Sequence, residues 1–335
     1  GIEFGLHEHT VEQELRTLCN RHLFATPAPN LKSRSWRLFR KAMRKLARIV
    51  GFQPRATVAE VVGQRSSMKR KRFGQGMERY CRVGVWEPDS WLTEMQKLEF
   101  YQKDKIAGKE DRGIQFRSPT YNAALARHLL HVEHALYRNL RNPDGTPVIA
   151  KGRSPLERGI LLAAMSQSFS DPVYLLMDHS RFDAHVNEWL LNEEHTFYLN
   201  CRGWSPELQK LLRWQRRSRG FTQGGIRYRI EAKRASGDIN TACGNSNINW
   251  GMIVSALVKA GVLKYNVLLD GDDSVVIIER PKPGTENQLI EVIRQHMLDC
   301  GMVTEIQLVD KLCEAEFCQS RVCWGEEGPV MVRNP

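Results

Sequence analysis

The stretch NVLLDGDDSVVIIE, residues 266–279, sets Asp270, Asp272 and Asp273 at one tight turn between two short apolar, β-branched runs. Asp-Gly between such runs is the strongest short-range hairpin signal. Two like charges about 4 Å apart repel by roughly 4 kcal/mol at an effective dielectric near 20, so carboxylates crowded on a rigid hairpin call for a cation. Oxygen ligands with no nearby His or thiolate suit magnesium or manganese. A solvated surface turn is the competing reading, and the hairpin alone does not exclude it.

A further carboxylate lies in VYLLMDHSRFDAHVNEW, residues 173–189, where an apolar strand over 173–177 ends on Asp178. The carboxyl end of a buried strand is where α/β proteins place catalytic groups. Asp183, five residues on, either faces the same cavity or caps the helix that carries Val186, Trp189 and Leu190. In ASGDINTACGNSNINWGMIVSALV, Ser236-Gly237 reads as a flexible loop, after which Thr241, Asn245 and Asn249 recur on one helix face. Buried amides need partners, either an internal hydrogen-bond network or a substrate hydroxyl. Lys103, Lys105, Lys109, Arg112 and Arg117 alternate with Ile106, Ile114 and Phe116, as strands with outward cations would. Such strands either cradle a triphosphate or face solvent. Arg213, Arg216, Arg217 and Arg219, beside Trp214 and Phe221, suit a single-stranded nucleic acid.

These residues need a scaffold, and 335 residues with 41% hydrophobic content can bury one large domain or two to three lobes, which excludes wholesale disorder. A net charge of +11 implies a polyanionic partner, nucleic acid or an anionic membrane. The eight Cys show no CxxC pair and no zinc spacing, the pattern of reduced thiols in an intracellular protein. No run approaches the ~20 apolar residues of a membrane span, and the first residues lack a signal-peptide core. A start without Met and a stop at MVRNP suggest a piece of something longer.

In chain order, residues 10–20 form a short helix and 25–30 a linker. Over 31–50, Trp36, Phe39, Met43, Leu46 and Val50 recur at helical spacing, with Arg34, Arg37, Arg40, Lys41, Arg44, Lys45 and Arg48 between them. That basic face is open to three readings: solvated, nucleic-acid contact or membrane surface. Residues 68–73, MKRKRF, are expected as a basic loop, 91–101 as a helix, and 120–140 as a helix whose His128, His131 and His134 have no acidic partner placed with them. Thr285 and Gln288 predict a capping box for a helix to residue 300, stopped by Gly301. A strand over 303–309 and a strand–turn–strand around 326–328 close the chain. The carboxyl half is thus an α+β unit, a small sheet with helices on one face that brings Asp178 beside Asp272 and Asp273. Two ions about 3.5 to 4 Å apart on such carboxylates serve in-line phosphoryl transfer.

The segments DHSRFDAHV, SGDINTACGN, GDD and EFCQ, in this order and spacing, resemble motifs A, B, C and E of viral RNA-dependent RNA polymerases, and QFRSPTYN resembles their motif F. The resemblance spans roughly residues 90–335 and is strongest to the tombusvirus-like group of positive-strand RNA viruses. It implies a right-hand polymerase with an antiparallel palm sheet: residues 1–170 as amino-terminal region and fingers, 171–190 and 231–320 as palm, 191–230 as a fingers insertion, and 321–335 as the start of a largely absent thumb. Asp178, Asp272 and Asp273 would be the catalytic residues, ligating two Mg2+ or Mn2+ ions, with Asp270 merely making the turn. Asp183, Ser236 and Asn245, with Gly237 and Thr241 of the same motif, would read the ribose 2'-hydroxyl. Lys105, Arg112 and Arg117 would meet the incoming triphosphate, residues 316–319 would lie near the 3' end of the growing strand, and Lys311 is a candidate proton donor to pyrophosphate. The implied partners are RNA template and product, ribonucleoside triphosphates, other viral replication proteins and a host membrane, in membrane-associated complexes of the host cytoplasm. A reverse transcriptase, or a basic RNA-binding scaffold with a decayed palm, are the alternatives. Asn245 argues against the first and the intact carboxylates against the second.

Overall fold

In a computed structural model, which describes residues 2–335, the first half of the chain is mostly helical. A short strand β1 (Phe4–Gly5) precedes α1 (Val11–Thr17), which tightens into a π-helical turn at Leu18–His22. Next, α2 (Arg34–Val50) starts on a Ser33 cap and buries Trp36, Phe39, Met43, Leu46 and Val50, as their spacing predicts. A Thr57–Glu60 capping box opens α3 (Val58–Gly63). The loop expected over 68–73 is instead the first turns of α4 (Ser67–Val83). Lys and Arg are good helix formers, no Pro interrupts them, and the buried Met77 and Tyr80 dock the whole helix.

The helix expected over 91–101 is replaced by β2 (Leu92–Gln96), which buries Leu92 and Glu94 with period two. It is bonded along both edges, antiparallel to β4 (Gly113–Phe116) and parallel to β6 (Arg217–Thr222), and this pairing overrides helix-like spacing. Between β2 and β4, β3 (Tyr101–Gln102) pairs with β1, and a short helix α5 (Lys103–Ile106) carries the cations expected on a strand. The long α6 (Pro119–Asn139) buries Leu125, Leu129, Val132 and Leu136. Its histidines do find acids: His128 Nε2 lies 2.8 Å from Glu207 and His131 Nε2 3.3 Å from Glu60. Both partners are distant in sequence, which is why spacing along one helix does not reveal them.

After α7 (Pro155–Ser166), a helix that the sequence reading lacks, comes β5 (Pro172–His179), then the single turn α8 (Phe182–His185), α9 (Glu188–Arg202) and α10 (Pro206–Arg216). The basic segment after α10 folds as the hairpin of β6 and β7 (Arg227–Glu231). The rest is α11 (Thr241–Lys259), the hairpin β8 (Tyr265–Asp270) and β9 (Asp273–Glu279), α12 (Glu286–Asp299), β10 (Thr304–Val309), and a closing hairpin of β11 (Ser320–Gly325) and β12 (Gly328–Arg333). The expected capping box at α12 is absent, because Thr285 is not extended and its hydroxyl donates to Lys282 O instead.

Strands β10, β5, β9 and β8, in that order, make one antiparallel sheet. Contrary to expectation, its cover is two-sided. Leu175, Met177, Val267 and Val276 join the core of α11 and α12, whereas Tyr174, Leu268, Val275 and Ile277 pack on Leu162 and Met165 of α7 and on Val322 and Met331 of the closing hairpin. Uninterrupted apolar runs in β8 and β9 point side chains both ways, and each fully buried one contributes about 1.5–3 kcal/mol, so both faces must be covered. All eight cysteines are free, and among the described residues no helix is long and apolar enough to cross a membrane.

Candidate active site

The turn between β8 and β9 is built so that its backbone can be gripped from behind. Gly271 has φ +62°, a left-handed conformation that glycine adopts without Cβ strain. Its amide donates to Ser246 Oγ at 3.1 Å, and its carbonyl and that of Asp272 accept from Asn249 Nδ2 at 3.3 and 3.1 Å. Asn249 Oδ1 is in turn 2.8 Å from His179 Nε2, and His179 Nδ1 is 2.7 Å from Thr304 Oγ1. Burial lowers the His179 pKa to about 4, so the ring is neutral and can bridge. One chain of hydrogen bonds therefore runs from β10 through the residue after Asp178 to the turn that carries Asp272. It fixes the two strand ends relative to each other.

Asp178 closes β5 on this side, and Asp272 and Asp273 stand on the turn, all three exposed. Although both residues reach solvent, the protein walls around their carboxyl groups displace part of the hydrating water: this desolvation, then the charges of Asp178 and Asp270, raise the Asp272 pKa, and Asp273 rises to about 6 through desolvation and the Asp272 charge. Carboxylates raised by neighbouring carboxylate charge favour a counter-cation, and the donor set is hard oxygen throughout, which fits magnesium or manganese. Among the described residues no three His, Cys, Asp or Glu side chains already converge as a metal-holding group. Asp270 does more than make the turn, since Arg158 of α7 pairs with it at 2.7 Å.

Two cavities border these carboxylates. The first, about 750 Å³, contains Asp272 together with Asp183, Ser236, Gly237, Thr241 and Asn245, five of the residues singled out in the sequence. Here Asn245 Nδ2 donates to Asp183 Oδ1 at 2.8 Å and Asn245 Oδ1 accepts from Arg234 Nε at 2.8 Å. Burial raises the Asp183 pKa to about 6 against the opposing pull of Asn245 and Arg234. Asp183 is therefore no helix cap: its carboxylate is turned into the cavity. Arg234, which lines the same cavity, is paired in the interior with Glu194, whose Oε2 also accepts from Tyr198 Oη at 2.6 Å and Asn240 Nδ2 at 3.1 Å.

The loop before α11 is docked on β4. Gly237 N donates to Gln115 O at 2.7 Å, and Ser236 Oγ accepts from Gln115 N at 3.3 Å. Thr241 turns its hydroxyl back to Ala235 O at 2.7 Å. Of the expected triphosphate cations, only Arg112 lines the cavity; its nearest carboxylate is Glu99 at 3.3 Å. Lys105 sits exposed on α5 and lines neither cavity. Arg117 is a correction: it is 2% exposed and paired with Asp238 at 2.6 Å, with further bonds to Ser90 O and Ser218 Oγ, so it has no free fork to offer a phosphate. Arg65, Lys69 and Lys151 line the cavity instead, and among the described residues none of the three has a carboxylate within ion-pair distance. The MKRKRF cluster contains Lys69, but only its helical fold shows which of those cations faces inward.

The second cavity, about 710 Å³, is bordered by Asp178, Asp273, Glu305, Glu316, Cys318 and Gln319, so the EFCQ segment does lie beside the carboxylates. Glu305 on β10 stands directly opposite Asp178 in the sheet. Lys311 is exposed and borders neither cavity.

Known sequences place the chain in a family. The profile of a family described as viral RNA dependent RNA polymerase matches residues 1–335. The chain is 31% identical over 350 residues to the RNA-directed RNA polymerase of Tobacco necrosis virus (strain D), covering 99% of this chain and 47% of that protein. It is 32% identical over 345 residues to that of Tomato bushy stunt virus (strain Cherry), covering 99% and 41%, and 30% identical over 346 residues to that of Maize chlorotic mottle virus, covering 99% and 35%. The chain thus spans less than half the length of these relatives. Over its whole length it belongs to the viral RNA-dependent RNA polymerase family.

Proposed function

We propose that this chain carries out template-directed RNA synthesis, joining the 3'-hydroxyl oxygen of an RNA strand to the α-phosphorus of a ribonucleoside triphosphate and releasing pyrophosphate, in the replication of a viral RNA genome. The observation that carries the proposal is the hydrogen-bonded pair Asp183–Asn245 in the same cavity as Asp272, because a polar pair beside metal-binding carboxylates can accept from and donate to a ribose 2'-hydroxyl. Asp178 and Asp272 would hold two magnesium or manganese ions, with Asp273 assisting. Bound there, such ions would supply neutralisation of the negative charge that develops during phosphoryl transfer. The chain's own residues do the rest: Ser246 and Asn249 keep the turn still, Asn245 and Asp183 orient the sugar, and Arg112 faces the triphosphate. Residues 171–190 and 231–320 would act as palm, 1–170 as amino-terminal region and fingers, 191–230 as a fingers insertion, and 321–335 as the start of a thumb. Other viral replication proteins and a host membrane in the cytoplasm complete the complex through regions outside this chain.

The test is extension of a primed RNA template with labelled ribonucleotides or deoxyribonucleotides, with and without magnesium or manganese. Ribonucleotide incorporation that needs the metal and vanishes in Asp272→Ala is expected. Full activity in that variant would overturn the assignment of the carboxylates.

A further inference from the structure

The outer face of α2 is not used by the active site. This helix contains seven Lys and Arg and no Asp or Glu, so it contributes seven of the eleven net positive charges of the chain. Arg34, Arg37, Lys41, Arg44, Lys45 and Arg48 are exposed. At 100° and 1.5 Å per residue they fall on an arc of roughly 100° and run along roughly 21 Å of helix axis. Among the described residues only Arg40 of this helix, at the edge of the arc, has a carboxylate partner, Glu193 at 2.8 Å.

A face that merely keeps a protein soluble interleaves both signs, because opposite charges three or four residues apart stabilise a helix. Here Arg37–Lys41, Lys41–Lys45 and Arg44–Arg48 are like-charge i,i+4 neighbours, each costing roughly 0.2–0.5 kcal/mol. Arg34 and Arg37 also sit at the helix amino terminus, where the macrodipole disfavours cations, and the first turn has no acid to offset them. No carboxylate among the described residues relieves this stripe, and a polyanion gripping it would relieve the repulsion along its whole length.

The fold also separates the two candidate polyanions. A helix on a membrane surface sinks its apolar face into the headgroup region. The apolar face of α2 is packed into the core, with only Leu38 and Ile49 part-buried at its margins: Phe39 and Leu46 are 0% exposed, and α2 lies so close to α11 that a Cβ on Gly251 would come within 2.8 Å of Met43 Sδ and 2.9 Å of Phe39 Cε2. What remains outside is a rigid row of cations, mostly arginine, whose planar fork suits phosphodiester oxygens. We infer that the outer face of α2 is an RNA-binding surface, separate from the catalytic cavity, that grips the phosphate backbone without reading sequence. This deepens the RNA reading of the preceding subsection.

Binding of the full chain to a short labelled single-stranded RNA, measured across a salt series, tests it. Replacing the six exposed cations other than Arg40 by Gln should flatten the slope of log K against log salt by about 0.7 for each phosphate no longer gripped, up to about 4 in all. The smaller variant Arg44→Gln/Arg48→Gln should flatten it by up to about 1.4. Extension of a saturating, pre-annealed primer–template should be unchanged in both. An unaltered slope in both variants overturns the inference. If the slope holds while sedimentation with phosphatidylserine vesicles is lost, the face is a membrane contact instead. Should the variants flatten the slope while the wild-type chain extends no primer, the polymerase reading fails and the RNA surface stands.

Discussion

Asn245 is held from both ends: its Nδ2 donates to Asp183 Oδ1 and its Oδ1 accepts from Arg234 Nε, each at 2.8 Å. Arg234 can only donate, so it decides which way the amide faces, and the NH2 is left for the cavity-side carboxylate. Behind it, Glu194 pairs with Arg234 away from solvent. A site that reads a hydroxyl discriminates strongly only when its polar groups would be left unpaired by the wrong substrate.

Asn245→Ala should therefore lose ribonucleotide-over-deoxyribonucleotide preference more than it loses RNA binding. Arg234→Ala should reduce the same ratio without touching the sugar itself. An Arg234→Lys variant should recover part of it, since Lys keeps a donor but not the fork. Competing incorporation of the two nucleotide types gives the ratio directly, and an unchanged ratio in Asn245→Ala would remove this residue from sugar reading.

Arg117 and Asp238 should behave as a structural pair. Breaking a buried ion pair costs about 3–5 kcal/mol, because one charge is left uncompensated. Arg117→Ala and Asp238→Ala should each show a loss of this size in urea unfolding, and the double variant should lose much less than the sum. Nucleotide KM, which does not depend on the folded fraction, should stay near wild type for Arg117→Ala. A large rise in KM with unchanged stability would return Arg117 to the triphosphate.

Much of this site was legible in the sequence because its information is local. The apolar runs around Asp270-Gly271-Asp272-Asp273 specify the hairpin, and the four-residue recurrence of Thr241, Asn245 and Asn249 specifies one helix face. Spacing alone does not separate these amides, and only the motif resemblance singles out Asn245: in the structure Asn245 faces the cavity and Asn249 grips the turn, a division set by the distant His179 and Asp183. Arg112 and Arg117 look equivalent in sequence, yet Asp238, more than a hundred residues away, claims one and leaves the other at the cavity. Strand β2 departs from the helix expected there because Leu92 and Met95 also fit a helix, and only pairing with β4 and β6 decides.

Gly237→Ala probes the docking of the loop before α11. An added Cβ would sit 2.6 Å from Gln115 O and 2.7 Å from Phe116 Cβ, closer than real atoms approach, so loop and β4 must part. Overpacking of this kind costs about 1–3 kcal/mol, and here it also breaks the Gly237–Gln115 bond. Primer extension should fall at least tenfold with RNA affinity kept, as seen by comparing single-turnover rates with filter binding. Equal rates would mean that this loop is free to move without consequence for the site.

Glu94 should make stability depend on pH. Its carboxylate is 1% exposed, neither oxygen has a hydrogen-bond partner, and burial together with the charges of Glu14 and Asp111 raises its pKa to about 7. His22, 3.9 Å away, brings no charge, because burial lowers its own pKa to about 4. The folded state then holds a proton that the unfolded state has released, so stability from this group is complete below pH 4.5 and is lost as pH rises through 7. A shift of that size corresponds to a loss on the order of 3 kcal/mol. Glu94→Gln keeps the shape and cannot ionise, so it should be more stable than wild type at pH 8 and close to it at pH 5. Urea midpoints at the two pH values measure this directly, and a pH 8 difference no larger than that at pH 5 would show that Glu94 finds a counter-charge on folding.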